Sequence, residues 1–212
     1  MTGLKRSLIY WGYMIEKYFF LVLFILAITV VLLGIANGRD CFEELIFCCP
    51  LIFNIMILSS AYSNITESMA QVISMGATRR ESFIAMQVFF HLMVVQGSLL
   101  TVIVVLFITD RYLTSKYHLL LVFLAFYMLS CGIGNAVNAV MMRFGLRAAR
   151  VVFIIALVII CLAMLGTTTA WQKMEAPIPD FVSIGVILAA LVLDIIMVLF
   201  NRRAVMGYEV HA

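Results

Sequence analysis

Six uninterrupted apolar runs dominate this chain: Tyr18–Ala36, Leu45–Ser63, Phe83–Thr109, Leu119–Met142, Val151–Ala170 and Phe181–Phe200. Each is 19 residues or longer, and a helix needs roughly 20 to cross a hydrocarbon core about 30 Å thick. Backbone N–H and C=O groups in lipid must be satisfied within the protein, which leaves only helices or closed barrels. The runs lack the polar–apolar alternation of barrel strands. They therefore read as transmembrane helices, and the fold class expected is an all-α integral membrane protein with six spans. Composition agrees. The chain is 65% hydrophobic and 12% charged, where a soluble domain carries about 25% charged residues.

The net charge of +3 over 212 residues matters less than where the charges fall. With the N-terminus inside, the cytoplasmic segments hold Lys5, Arg6, Lys17, Arg79, Arg80, Arg143, Arg147, Arg150, Arg202 and Arg203. The external loops hold Arg39, Arg111, Lys116 and Lys173, and most acidic residues lie with them. That bias places both termini in the cytoplasm, and no nucleic-acid partner is expected. No small-residue cleavage site follows the first apolar run, so no cleavable signal peptide is expected. No linker or long loop divides residues 1–212, which read as one transmembrane domain.

Before the first span, Leu4, Leu8, Trp11 and Ile15 recur at helical spacing, with Lys5, Arg6, Glu16 and Lys17 off that stripe. The pattern suggests an interfacial helix over about residues 3–17, its tryptophan at headgroup depth. The five cysteines, Cys41, Cys48, Cys49, Cys131 and Cys161, form no metal-binding spacing and read as small hydrophobes. No metal or other cofactor is expected on this chain.

The polar stretch QVISMGATRRESF, from Gln71 to Phe83, separates the second and third spans. Asn64 is a good N-cap with Glu67 three residues on, and Gly76 is a natural helix stop. A short helix over about residues 66–75 is expected. Thr78 and Glu81 then form the sequence pattern of a capping box opening the third span. Local chemistry thus explains the glycine, threonine and glutamate. What is left for a partner is Gln71, an apolar tip of Ile73, Met75 and Ala77, and the charges Arg79 and Arg80.

This elbow resembles that of membrane subunits (permeases) of type-2 ATP-binding-cassette (ABC) exporters, especially the small six-span bacterial ones. Gly76, Thr78, Arg79 and Phe83 carry the match. Arg143, Phe144 and Gly145 resemble an RFG turn that the same proteins have between their fourth and fifth spans. The likeness covers the layout of the whole chain but only about two dozen residues in motif. It implies a dimer, with a second copy or a related permease, resting on a cytoplasmic ATPase in a bacterial cell membrane. The short helix before Gly76 would be the coupling helix. Gln71, Ile73, Met75, Gly76, Ala77, Thr78, Arg79, Arg80, Glu81, Arg143 and Arg147 would face the ATPase. ATP and Mg would bind the partner, since this chain has no phosphate loop and GIGNAVN lies inside a span. The cargo implied is hydrophobic or amphipathic, with antimicrobial or toxin-like peptides in range. The loop Trp171–Asp180 is short, so the external re-entrant helices of larger members are expected to be reduced or absent.

Asp194 is the acidic residue set well inside a span, about 10 Å from Asn201 at helical rise. An ionised group there is costly and needs a partner. His91, Gln96, Asn135 and Asn138 offer polar groups from other spans, and the set reads as a transport-path lining or as packing hydrogen bonds. Ser130, Gly134 and Asn138 recur every four residues, a close-packing stripe.

Other classes fit less well. A substrate-binding component of an energy-coupling vitamin importer has six spans and similar size, but here the polar elbow sits where an ATPase binds directly. Permeases of the macrolide-exporter and cell-division type share a similar elbow, but have four spans and a large external domain. Three scattered histidines and no HExxH or GxSxG argue against an intramembrane enzyme.

Overall fold

A computed structural model describes residues 3–37, 41–74, 76–106, 116–173 and 179–207. All secondary structure among them is helical: α1 (Gly3–Asn37), α2 (Cys41–Ser74), α3 (Arg79–Leu106), α4 (Lys116–Lys173) and α5 (Asp180–Met206). Among the described residues, four helical segments are long and apolar enough to cross a membrane, namely Gly3–Leu32, Arg79–Val105, Tyr117–Thr167 and Phe181–Met206. The apolar stretch Cys48–Tyr62 within α2 is shorter.

Helix α4 is a hairpin. Gly145 has φ 80° and ψ 178°, a region open essentially only to glycine. Asn54 of α2 accepts a hydrogen bond from Ser130 Oγ at 2.5 Å and contacts Met164 Sδ through Nδ2 at 3.5 Å. In a straight helix those two residues would stand about 51 Å apart. The chain therefore doubles back at Gly145. Phe123 of the first arm and Ile160 and Met164 of the second share one buried cluster with Leu58. Gly145, with its positive φ, is the residue at which α4 turns.

Two expectations need correction. First, residues 3–17 do not form a separate interfacial helix, because α1 runs unbroken from Gly3 to Asn37. At helical rise it is about 52 Å long, well beyond a 30 Å core. Its inward face is Ser7, Trp11, Val22 and Leu26, with Met14 and Tyr18 packed alongside, one continuous helical stripe. Trp11 is 1% exposed and lies 4.9 Å, centroid to centroid, from Phe89 of α3. The ring is in the protein core, and half-exposed Leu8 lies off the stripe.

Second, the short helix before Gly76 is not a separate element. Helix α2 continues through Asn64 to Ser74. No glycine or proline stands between Tyr62 and Ser74, and a favourable N-cap residue does not by itself interrupt a helix. Pro50 lies inside α2.

The main core forms where α1, α2, α3 and the first arm of α4 meet, around Trp11, Phe53, Met86, Phe89, Phe90 and Tyr127. Helix α5 packs chiefly on α4. Its outward side, including Phe181, Leu188 and Leu199, is exposed and apolar, as a lipid-facing surface requires.

Candidate functional site

Two polar constellations stand out, one at the α2–α3 elbow and one between α3, α4 and α5.

At the elbow, Gly76 adopts φ +84°, a left-handed conformation that glycine reaches without steric cost. Its N–H bonds the Ile73 carbonyl at 2.9 Å. The capping box then forms in full. Glu81 N–H donates to Thr78 Oγ1 at 3.2 Å, while Thr78 N–H and Oγ1–H donate to Glu81 Oε2 at 2.8 and 2.9 Å. Glu81 also does something the local pattern does not contain. Its Oε1 accepts the Leu4 N–H of α1 at 3.0 Å, satisfying one of the donors left open at a helix start. One carboxylate thus caps two helices.

Arg79 Nη1 reaches the Met206 carbonyl near the end of α5 at 3.5 Å. The elbow is thereby tied to α1 through Glu81 and to α5 through Arg79. Of the residues expected to meet an ATPase, Gly76, Thr78, Arg80, Arg143 and Arg147 are exposed, and Arg79 and Glu81 are half-buried. Ala77 is buried and Ile73 packs against the main core, so neither supplies the apolar tip expected of it. The structure turns them inward because the elbow lies against α1. Met75 and the side chain of Gln71 lie outside the described residues. Arg143 sits over the Phe200 ring, 5.4 Å from its centroid.

Inside the bundle, His91 Nε2 of α3 meets Asp194 Oδ2 of α5 at 3.1 Å. The other ring nitrogen, Nδ1, pairs with the Gln87 carbonyl one turn back at 2.8 Å. Asn135 of α4 accepts from Gln87 Nε2 at 2.6 Å and from Asn201 Nδ2 of α5 at 2.7 Å, both at Oδ1. It donates to the Cys131 carbonyl at 3.1 Å. Three helices are therefore joined by one amide and one His–Asp pair.

Asp194 is 4% exposed and its Oδ1 has no hydrogen-bond partner. Cys131 is fully buried, and its sulfur, the Asp194 carboxylate and a His91 nitrogen all lie within 4.8 Å of one another. Gly132 makes room for this approach, since a Cβ there would stand 3.1 Å from the Asp194 Cα.

Of the expected intramembrane set, His91, Asn135 and Asp194 come together. Asn138, three residues further along α4, instead contacts Met86 Sδ through Nδ2 at 3.4 Å. Gln96 lies about 7.5 Å beyond His91 along α3 at helical rise and takes no part in the network. Gln87, Cys131 and Asn201 belong to the cluster and were missed from sequence. Their signal was spacing: Gln87 is four before His91, Cys131 four before Asn135, and Asn201 seven after Asp194. Such intervals set each pair on one helix face.

The chain matches no protein-family model, no curated protein and no solved structure. Geometry and sequence pattern carry the functional reading.

Proposed function

We propose that this chain is the membrane subunit of an ABC exporter of the small six-span bacterial type. In this reading the spans are α1, the apolar part of α2, α3, the two arms of α4, and α5. The α2–α3 elbow, the turn at Gly145 and both termini lie on the cytoplasmic side, where the arginines concentrate. The chain pairs with a second copy or a related permease, and each rests on a cytoplasmic ATPase that holds ATP and Mg. The end of α2, though continuous with its span, serves as the coupling segment.

The observation that supports this best is the bracing of the elbow. It is a glycine-turned, fully capped corner with Arg80 exposed on it, bonded through Glu81 to α1 and through Arg79 to α5. A cytoplasmic partner pushing on such a corner would move three helices together. A corner serving only as a connector needs its caps but not the ties to α1 and α5. The His91–Asp194 pair, joining α3 to α5, lies on two of those helices and is a natural place for motion to alter a path for a hydrophobic or amphipathic cargo.

Purification of the tagged chain from its host tests the reading. A stoichiometric phosphate-loop ATPase should accompany it. A stable chain with no ATPase, or tight binding of a small vitamin by the isolated chain, would overturn it.

A further inference from the structure

We infer that His91, Cys131 and Asp194 form an intramembrane site for a divalent d-block cation, zinc by preference, that clasps α3, α4 and α5. The inference is independent of any transport role.

The donor set is the first ground. An imidazole nitrogen, a thiolate sulfur and a carboxylate oxygen are the ligand types zinc takes, and three protein ligands with a fourth open position is an established arrangement for it. Tetrahedral bonds of ordinary length place such donor atoms about 3.4–3.6 Å apart. Here all three lie within 4.8 Å of one another, and the His91–Asp194 distance is 3.1 Å. Closure by about 1 Å, within side-chain reach, completes the site.

Charge balance is the second ground. A divalent cation with one thiolate and one carboxylate is neutral overall, so the loaded site places no net charge among apolar helices. An unsatisfied carboxylate oxygen there is expensive. Asp194 Oδ1 is such an atom: buried, without a hydrogen bond, and in the cluster that includes the Cys131 sulfur. On binding, the Cys131 thiol proton leaves to solvent as the sulfur–metal bond forms.

The surroundings are the third ground. His91 Nδ1 faces the Gln87 carbonyl at 2.8 Å, which holds the proton on Nδ1 and leaves Nε2 as the ligand. Metal-bound histidines almost always have such an outer partner. Asn135 Nδ2 stands 3.9 Å from the Cys131 sulfur, placed to donate to a thiolate. The His91 side chain is 44% exposed while that of Asp194 is 6% exposed, so the cluster is open on the His91 side and closed on the Asp194 side. Each ligand comes from a different helix, which is why no local cysteine or histidine spacing in the sequence announces the site.

Cobalt(II) is the probe, with the full-length chain in detergent after chelation. In a background with Cys41, Cys48, Cys49 and Cys161 all changed to serine, Cys131 is the sole thiol. That protein should take up one cobalt per chain and show a near-ultraviolet thiolate-to-cobalt charge-transfer band with intense tetrahedral visible bands. Zinc should displace the cobalt. Adding Cys131→Ser should abolish the charge-transfer band, and Asp194→Asn should weaken binding at least ~10-fold, the scale that loss of an outer partner already reaches. Failure of the sole-thiol protein to bind cobalt would overturn the inference, as would binding without the thiolate band or an affinity unchanged by Asp194→Asn.

Discussion

Single residues here do more than one job, and Asn135 shows it most clearly. Its Oδ1 is the common acceptor for Gln87 of α3 and Asn201 of α5. Changing Asn135 to leucine leaves two donors, half-buried Gln87 and buried Asn201, without this acceptor. In water each loss costs about 1–3 kcal/mol, but inter-helix bonds in membranes average about 0.6 kcal/mol because the unfolded chain also finds partners. The smaller value governs here. Denaturation of Asn135→Leu in mixed micelles should show about 1–2 kcal/mol lost for the two bonds, and an unchanged midpoint would remove Asn135 from its linking role. At the elbow, Thr78→Ala removes one half of the capping box and should cost about 1 kcal/mol. The thermal midpoint reads that loss, and Thr78→Ser should restore it.

Elements differ from the sequence pattern wherever a helix end was inferred from a preference and not from a breaker. Gly76 and Gly145 both take positive φ and both turn the chain. Asn64 stays helical because nothing near it obliges the backbone to leave the helix. The same distinction explains α1, whose buried stripe runs past residue 17 without a change of phase. Capping at Thr78 and Glu81 was legible because it is local. The bond from Glu81 to Leu4 was not, since it joins residues 77 apart. The His91–Asp194 pair was half legible: a buried carboxylate announces a need, but only packing selects His91 over Gln96. Gly145 supplies an element-scale test. Gly145→Ala forces a side chain into a region that costs about 1–3 kcal/mol. The expected outcome is a destabilised hairpin, seen as a lower midpoint and easier proteolysis at the turn. A neutral substitution would show that the turn does not depend on its left-handed conformation.

At the scale of the whole molecule, the apolar helices define a membrane protein in outline, and the proposed orientation makes the outline specific. In that proposed orientation the two arms of α4 cross separately and the turn at Phe144, exposed in the structure, faces the cytoplasm. In a cysteine-free background, Phe144→Cys should react with a membrane-impermeant maleimide only in inside-out vesicles. Reaction in intact cells would reverse the topology.

The proposed coupling of elbow to bundle is tested most directly by ATP hydrolysis in a reconstituted complex of this chain with its ATPase. Arg79→Glu combined with Arg80→Glu should leave the chain folded, by its thermal midpoint, and uncouple ATP hydrolysis from transport. Hydrolysis that is still stimulated by cargo to the wild-type level in that double variant would contradict the proposal.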